Sequence, residues 1–147
     1  MKDFIEQKII SAIRKLLTGR VNELLGEMES PIPLIEFSDY KGGTAVCPII
    51  SLSTCEQSEK ERIIRLDAYS LTITLNLPET PESELHCYAY SGAIGRAFYD
   101  DPTLGGIADR AVIIGKKYVQ PKKPHCEEGW ELIISLRITI EGTANAG

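Results

Sequence analysis

Two stretches of the chain alternate strictly between apolar and polar residues. Within residues 66–77, Leu71, Ile73, Leu75 and Leu77 alternate with Ser70, Thr72, Thr74 and Asn76. Residues 130–141 repeat the pattern, with only Ile133 breaking it. A period of two indicates a strand with one buried face, and its strictness favours an antiparallel sheet with one open face. The pattern predicts two long strands whose core positions are Leu71, Ile73, Leu75, Leu132, Ile134, Leu136 and Ile138.

The N-terminal segment has the three- and four-residue spacing of an amphipathic helix. Its apolar positions run from Phe4 to Leu25, and Gly26 followed by Ser30 and Pro31 ends the pattern. We predict a helix over residues 3–26, about 35 Å long. Its apolar stripe, which we expect to pack against the two strands, comprises Ile9, Ile13, Leu16 and Leu17.

A second helix is predicted over residues 82–99. Thr80 is a suitable N-cap, Pro81 fits the first helical position, and Asp101 with Pro102 ends the helix. The segment from Leu104 to Ile107 contains two glycines and is predicted to be a turn. The face expected to pack consists of Leu85, Tyr88, Ala89, Gly92, Ala93, Arg96 and Ala97.

Shorter apolar runs predict the remaining strands. Residues 32–37 and 46–52 each contain a proline, which favours an edge or irregular strand. Residues 111–119 are predicted to form a strand around Gly115, whereas residues 39–44 are predicted to be a turn and residues 53–62 a long charged loop. The order of elements predicts an α+β fold: a four- to five-stranded, mostly antiparallel sheet with two helices packed on one face. We expect one domain over residues 1–147.

Composition and charge narrow the class of protein. The chain has 147 residues, 43% hydrophobic and 25% charged, as in an average globular domain. The net charge of −5 argues against bulk or sequence-specific binding of nucleic acid. No apolar stretch is long enough for a transmembrane helix, and the start MKDFIEQK does not resemble a secretory signal. The four cysteines are expected to be reduced thiols in a cytoplasmic setting.

The sequence contains no recognisable catalytic or metal-binding pattern. His86 with Cys87, and His125 with Cys126, lack the spacing of a zinc site, because four side chains must converge on the metal. We expect Cys47 and Cys55, which lie in the run VCPIISLSTC, to be packing residues. The interpretation is therefore a protein that is not an enzyme and holds no metal or cofactor. A thiol enzyme remains an alternative, which selective alkylation of one cysteine would reveal.

Two charged segments are candidates for contacts between molecules. The segment KKYVQPKK, residues 116–123, has four lysines in eight residues, and STCEQSEKER, residues 53–62, is the predicted charged loop. A solvated hairpin kept soluble by its charge is the simpler explanation of the lysines. The candidate interface residues are Lys116, Lys117, Lys122, Lys123, Glu59, Lys60, Glu61 and Arg62. The acidic residues expected to face the lysines across an interface are Glu82, Glu84, Asp100 and Asp101.

Five segments together resemble a known family. They are FIEQKIISAIRKLL, VCPIISL, AYSLTITLNLP, RAFYDDPTLGGI and WELIISLRITIEG, and they span nearly the whole chain. In this order they resemble the tail-terminator, or tail-completion, proteins of long-tailed bacteriophages and related prophages. That family includes the minor tail protein U type and the terminators of Mu-like prophages. Head–tail connector proteins have a similar size and architecture and stay an alternative.

The resemblance implies a structural role in the virion. Tail terminators form a ring, expected here to be a hexamer, on the last ring of the tail tube; they stop its polymerisation and present a surface to head or neck connector proteins. The implied partners are further copies of this chain, the tail-tube protein and the connector proteins. The implied location is the virion tail, with assembly in the cytoplasm of the bacterial host. A small non-catalytic module that docks an acidic partner or nucleic acid through residues 116–123 is the remaining alternative.

Overall fold

A computed structural model describes residues 4–37, 46–61, 64–122 and 128–143. Its strands are β1 (Ile49–Glu61), β2 (Ile64–Pro78), β3 (Arg110–Val119) and β4 (Glu128–Thr143). They form one antiparallel sheet in the order β1-β2-β4-β3, so the two long alternating strands lie at its centre. The predicted α+β fold is confirmed, with four strands in the described part of the chain.

The N-terminal helix consists of three consecutive pieces: α1 (Ile5–Leu16), a π-helical turn (Leu17–Val21) and α2 (Asn22–Gly26). Its buried positions are four residues apart throughout: Ile9, Ile13, Leu17, Val21 and Leu25. Four residues overshoot one α-helical turn by about 40°, so a row with this spacing drifts around the helix. The wider π turn, which the sequence pattern did not predict, offsets this drift and keeps the row on the core.

The core lies between the helices and one face of the sheet. All seven strand positions predicted to be buried are at most 1% exposed, and they share one cluster with the stripe of the N-terminal helix. Leu16, also predicted for that stripe, is half-buried at its margin. The alternate strand positions, such as Thr72 and Ser135, point to the opposite face, which we call the open face.

The second helix, α3 (Ser83–Asp100), has almost the predicted limits but a different buried face. Its N-cap position is Glu82, and Thr80 instead donates its backbone N–H to the Ser83 hydroxyl at 2.7 Å. Leu85 and Tyr88, predicted to pack, are about half exposed. The face was mispredicted because both sides of this helix carry apolar side chains. The residues that are buried are Ser83, Cys87, Tyr90, Ser91, Ala93, Ile94, Ala97 and Phe98.

The strand predicted at residues 32–37 is wrong. Within this segment the chain makes one isolated parallel bridge, between Ile35 and Val46. The amide side chain of Asn22 bonds both backbone groups of Ile35, at 2.8 and 2.9 Å, and takes the place of a neighbouring strand. The turn predicted at residues 39–44 lies outside the described residues.

The charged loop predicted at residues 53–62 is also wrong. β1 begins at Ile49 and continues as a strand to Glu61, paired with β2 along its length. The register shifts twice, between Leu52 and Thr54 and between Glu59 and Glu61. The segment has no hydrophobic alternation because residues 51–59 are exposed on both faces, so the pairing with β2 alone makes it a strand.

The turn predicted after α3 is confirmed. Leu104, Gly105 and Gly106 all have positive φ angles, 50°, 68° and 93°, which the two glycines adopt without steric cost. The turn returns the chain to β3, where Ala111 donates its backbone N–H to Pro102. None of the described helices is both long and apolar enough to span a membrane.

Candidate functional site

The two outer strands of the sheet, β1 and β3, carry charges of opposite sign. Along residues 49–61 there are three glutamates and one lysine, whereas residues 110–122 contain four cations and no acidic residue. Each strand also exposes large apolar side chains, Ile49 and Leu52 on β1 and Ile114 and Tyr118 on β3. An outer strand has backbone donors and acceptors without a strand partner along one side, although on β3 the N–H of Ala111 bonds the Pro102 carbonyl. These two edges are the candidate assembly surface.

The lysines predicted as one interface patch point in different directions. Lys116 lies on the helix face of the sheet, and its ammonium donates to the Ser91 carbonyl of α3 at 3.0 Å. Lys117 is the next residue of the strand and points to the open face. Lys122 is exposed beyond the end of β3, and Lys123 lies outside the described residues. The lysine segment is therefore divided between two faces.

The candidate residues of β1 lie near the tip of the β1–β2 hairpin. Glu59 is exposed and pairs across the strands with Arg65; both line a groove of about 360 Å³ with Gln57 and Ser58. Lys60 and Glu61 belong to β1, but their side chains, like the whole of Arg62, lie outside the described residues.

The hairpin also contains an ion pair whose carboxylate is buried and whose arginine is half-buried. Asp67 is 8% exposed on the helix face of β2, and its Oδ1 lies 3.2 Å from Nε of Arg65. A buried carboxylate needs such a counter-charge, because its removal from water is costly. The pair lies near the tip of the hairpin, where β2 begins.

An aromatic cluster lies where α3 crosses β3 and β4. The Tyr88 ring makes edge contacts with Tyr118 and Trp130, with centroids 5.9 and 6.0 Å apart. The Tyr118 hydroxyl shares a 2.6 Å hydrogen bond with the hydroxyl of Ser91. Sequence analysis missed this cluster, because its members come from three elements and the two tyrosines remain about half exposed. It holds the outer strand β3 against α3.

The four acidic residues predicted to face the lysines lie at opposite ends of α3. Glu84, near its start, accepts a 2.9 Å hydrogen bond from the Tyr88 hydroxyl, and this bond raises the pKa of Tyr88. Asp100 pairs with Arg96 at 3.0 Å. Asp101 accepts the backbone N–H of Gly105. A helix of this length separates its ends by about 27 Å, so these residues cannot form one patch.

The cysteines occupy two kinds of environment. Cys87 is buried on α3, and this burial raises its pKa. Cys47 and Cys55, predicted to be packing residues, are exposed instead, so that prediction is wrong. Partial burial raises the pKa of Cys55. Within the described residues no three histidine, cysteine or acidic side chains converge as a metal site would require. Cys126 and His125 lie outside those residues.

A groove on the helix side combines cations with an apolar floor. It is about 500 Å³ in volume and lies between the N-terminal helix and the turn after α3. Its cations are Lys8, Lys15 and Arg20, the last of which is paired with Glu23 at 3.0 Å. None of the residues that line this groove belongs to β1 or β3.

No protein-family model matches the chain, and no curated protein matches its sequence.

Proposed function

We propose that this chain is a structural, non-catalytic protein that closes the end of a phage tail tube as a ring. The observation that carries the proposal is the pair of exposed sheet edges, β1 and β3, with opposite charge and apolar side chains. Unpaired edges of this length are a liability in an isolated molecule and are useful in an assembly. Contacts between two different edges repeat from copy to copy, and such heterologous contacts generate a closed ring when the rotation between copies closes on itself.

The thiol chemistry supports a non-catalytic role. A cysteine nucleophile needs a lowered pKa, because the thiolate is the reactive form. The environments of Cys55 and Cys87 act in the opposite sense and raise their pKa values. Each thiol is therefore mostly protonated at neutral pH.

The open face of the sheet suits contacts with other tail components. Ser70, Thr72 and Thr74 on β2 and Ser135 and Arg137 on β4 give this face a hydroxyl-rich, polar character. In the proposed ring, which we take to be a hexamer, this face meets the lumen or the tail-tube protein. The other end of the ring receives the head or neck connector proteins. The protein then belongs to the virion tail and assembles in the host cytoplasm.

The proposal is tested in a producing strain that lacks this protein. Tails that overgrow, and that therefore fail to join heads, are expected, with normal length and joining restored by the wild-type chain. Tails of normal length whose heads remain unjoined would favour the connector alternative. Tails of normal length that join heads normally would contradict both.

A further inference from the structure

The direction of the strands limits how two copies can meet. Neighbours in the order β1-β2-β4-β3 are all antiparallel, so β1 and β3 of one copy run in opposite directions. A second copy placed beside the first without inversion brings its β1 against β3 of the first. The two strands are antiparallel, as every other pair in the sheet is. The sheet can therefore continue from copy to copy with its helices on the same face.

Charge discriminates between this contact and its symmetric alternatives. Pairing of β1 with β1 brings two acidic edges together, and pairing of β3 with β3 brings two basic edges together. Like charges directly opposite one another destabilise a strand pair, whereas opposite charges stabilise it. The charges favour a contact between different edges, which repeats around a ring.

The register of the sheet identifies residues that would meet. Glu56 on β1 pairs with Ala68, Ala68 with Thr139, and Thr139 with Arg110 on β3. Glu56 and Arg110 therefore lie at the same level, on the open face, at opposite edges. Both are exposed, and neither has an ion-pair partner within the described part of the chain.

A second row supplies an apolar contact on the helix face. Leu52 pairs with Leu71, Leu71 with Leu136, and Leu136 with Ile113. Leu52 is 37% exposed, although its row belongs to the core. Beside β3, a groove of about 370 Å³ is lined by Ile113 and, from α3, Phe98 and Tyr99. Leu52 of a neighbouring copy would enter this groove.

We propose that β1 of one copy pairs antiparallel with β3 of the next, in the register that continues these rows. Backbone pairing runs along β3 from Ile113 to Val119, since the N–H of Ala111 is already bonded to the Pro102 carbonyl. Glu56 then lies beside Arg110 of the neighbouring copy, and Leu52 beside its Ile113. The occupant of each edge is thus a second copy of this chain. The inference specifies the surfaces of the ring proposed above and rests on that proposal for its biological meaning.

Charge exchange tests the register. Glu56→Arg and Arg110→Glu alone are each expected to weaken self-association of the concentrated protein by about 2- to 30-fold, from typical energies of cross-strand charge pairs. The double exchange is expected to restore it. Arg137→Glu is the matched control, because it reverses a cation of the same face on the central strand β4. Unaltered association in the single variants, or no recovery in the double variant, would overturn the register.

Engineered cysteines test the pairing itself. Ile49, Thr74, Ile133 and Lys117 form one row on the open face, so Ile49 and Lys117 would meet between copies. In a background without the four native cysteines, Ile49→Cys with Lys117→Cys is expected to give disulfide-linked multimers on oxidation, since facing strand residues have suitable spacing. Each single cysteine variant is the control, because two copies of it can form a disulfide only if β1 meets β1 or β3 meets β3.

The outcomes separate this inference from the proposed function. Linked dimers of either single variant, or a double variant that stays unlinked at high protein concentration, would overturn the edge pairing. If the strain lacking the protein nevertheless overgrew its tails, the terminator proposal would stand and the ring would use other surfaces. Linked multimers together with normal tails would instead support the edge pairing and contradict the terminator role.

Discussion

The side-chain amide of Asn22 bonds both the N–H and the C=O of Ile35, which lies 13 residues further along the chain. Asn22 is half-buried at the start of α2, and Ile35 is fully buried. One polar side chain thus satisfies two backbone groups that no strand of the sheet reaches. The contact fixes the segment after the helix against the core.

Replacement of Asn22 by alanine is expected to destabilise the protein. Both backbone groups of Ile35 lose their partners, and each unsatisfied buried group costs about 1–3 kcal/mol. Urea unfolding should show this loss. Asn76→Ala is the control, since Asn76 is exposed on β2. Equal stability of the two variants would show that the Asn22 contact contributes nothing.

The two faces of β4 are expected to respond differently to the same truncation. Ile134 is fully buried on the helix face, and Ile134→Ala should lower the free energy of unfolding by about 2–5 kcal/mol. Ile133, its neighbour on the open face, is only half-buried, so Ile133→Ala should cost less. Thermal unfolding compares them. A neutral Ile134→Ala would mean that the assigned faces are reversed.

Gly129 is required where β4 begins. A Cβ at this position would lie 2.1 Å from the carbonyl oxygen of Leu77, a backbone atom that cannot move aside cheaply. Gly129→Ala is expected to destabilise the fold by at least about 1–3 kcal/mol, the usual cost of overpacking. Gly142→Ala, in the same strand with open space around its Cβ, should be nearly neutral. Calorimetry of both variants checks the contrast.

The stability of the protein should fall at alkaline pH, in part because of Tyr69. Burial, with a further contribution from Cys55, raises its pKa from an ordinary value of 10 to about 12. A raised folded-state pKa contributes stability that is complete below pH 10 and is lost as the pH rises through about 12. Tyr69→Phe should lose less stability across this interval than the wild type. Tyr99→Phe, at an exposed position, should follow the wild-type curve.

The thiols should differ in their accessibility to alkylation. Cys47 and Cys55 are exposed and should react in the folded protein, whereas buried Cys87 should react only on unfolding. The raised pKa of Cys55 should also make its reaction slower than that of a free cysteine at neutral pH. Mass mapping of the modified peptides measures both effects. Rapid modification of Cys87 in the native protein would contradict its burial.

Local periodicity was sufficient to predict the centre of the fold. Leu71 and Ile134 are buried because strict alternation puts every second side chain of a strand on one face, whatever lies beside it. Local signals also predicted the limits of α3, with Pro81 at its start and Asp101 at its end. The buried face of α3 could not be predicted locally. Whether Tyr88 or Tyr90 is buried depends on which side of the helix packs against the sheet. Tyr90 is buried with its hydroxyl on the Pro33 carbonyl, a contact across 57 residues of sequence.

By itself, the sequence determined the α+β class, the two central strands and the core that joins them to the N-terminal helix. These features depend on the burial of apolar side chains, and the spacing of those side chains along the sequence predicts which of them are buried. The tertiary structure alone decided that residues 53–61 are a strand and that Lys116 and Lys117 point to opposite faces. It also decided that Glu56 and Arg110 lie at the same level on opposite edges of the sheet. These relations are set by hydrogen-bond register between strands distant in sequence. Strand pairing between exposed polar residues needs no alternation of apolar and polar side chains, so sequence periodicity does not reveal it.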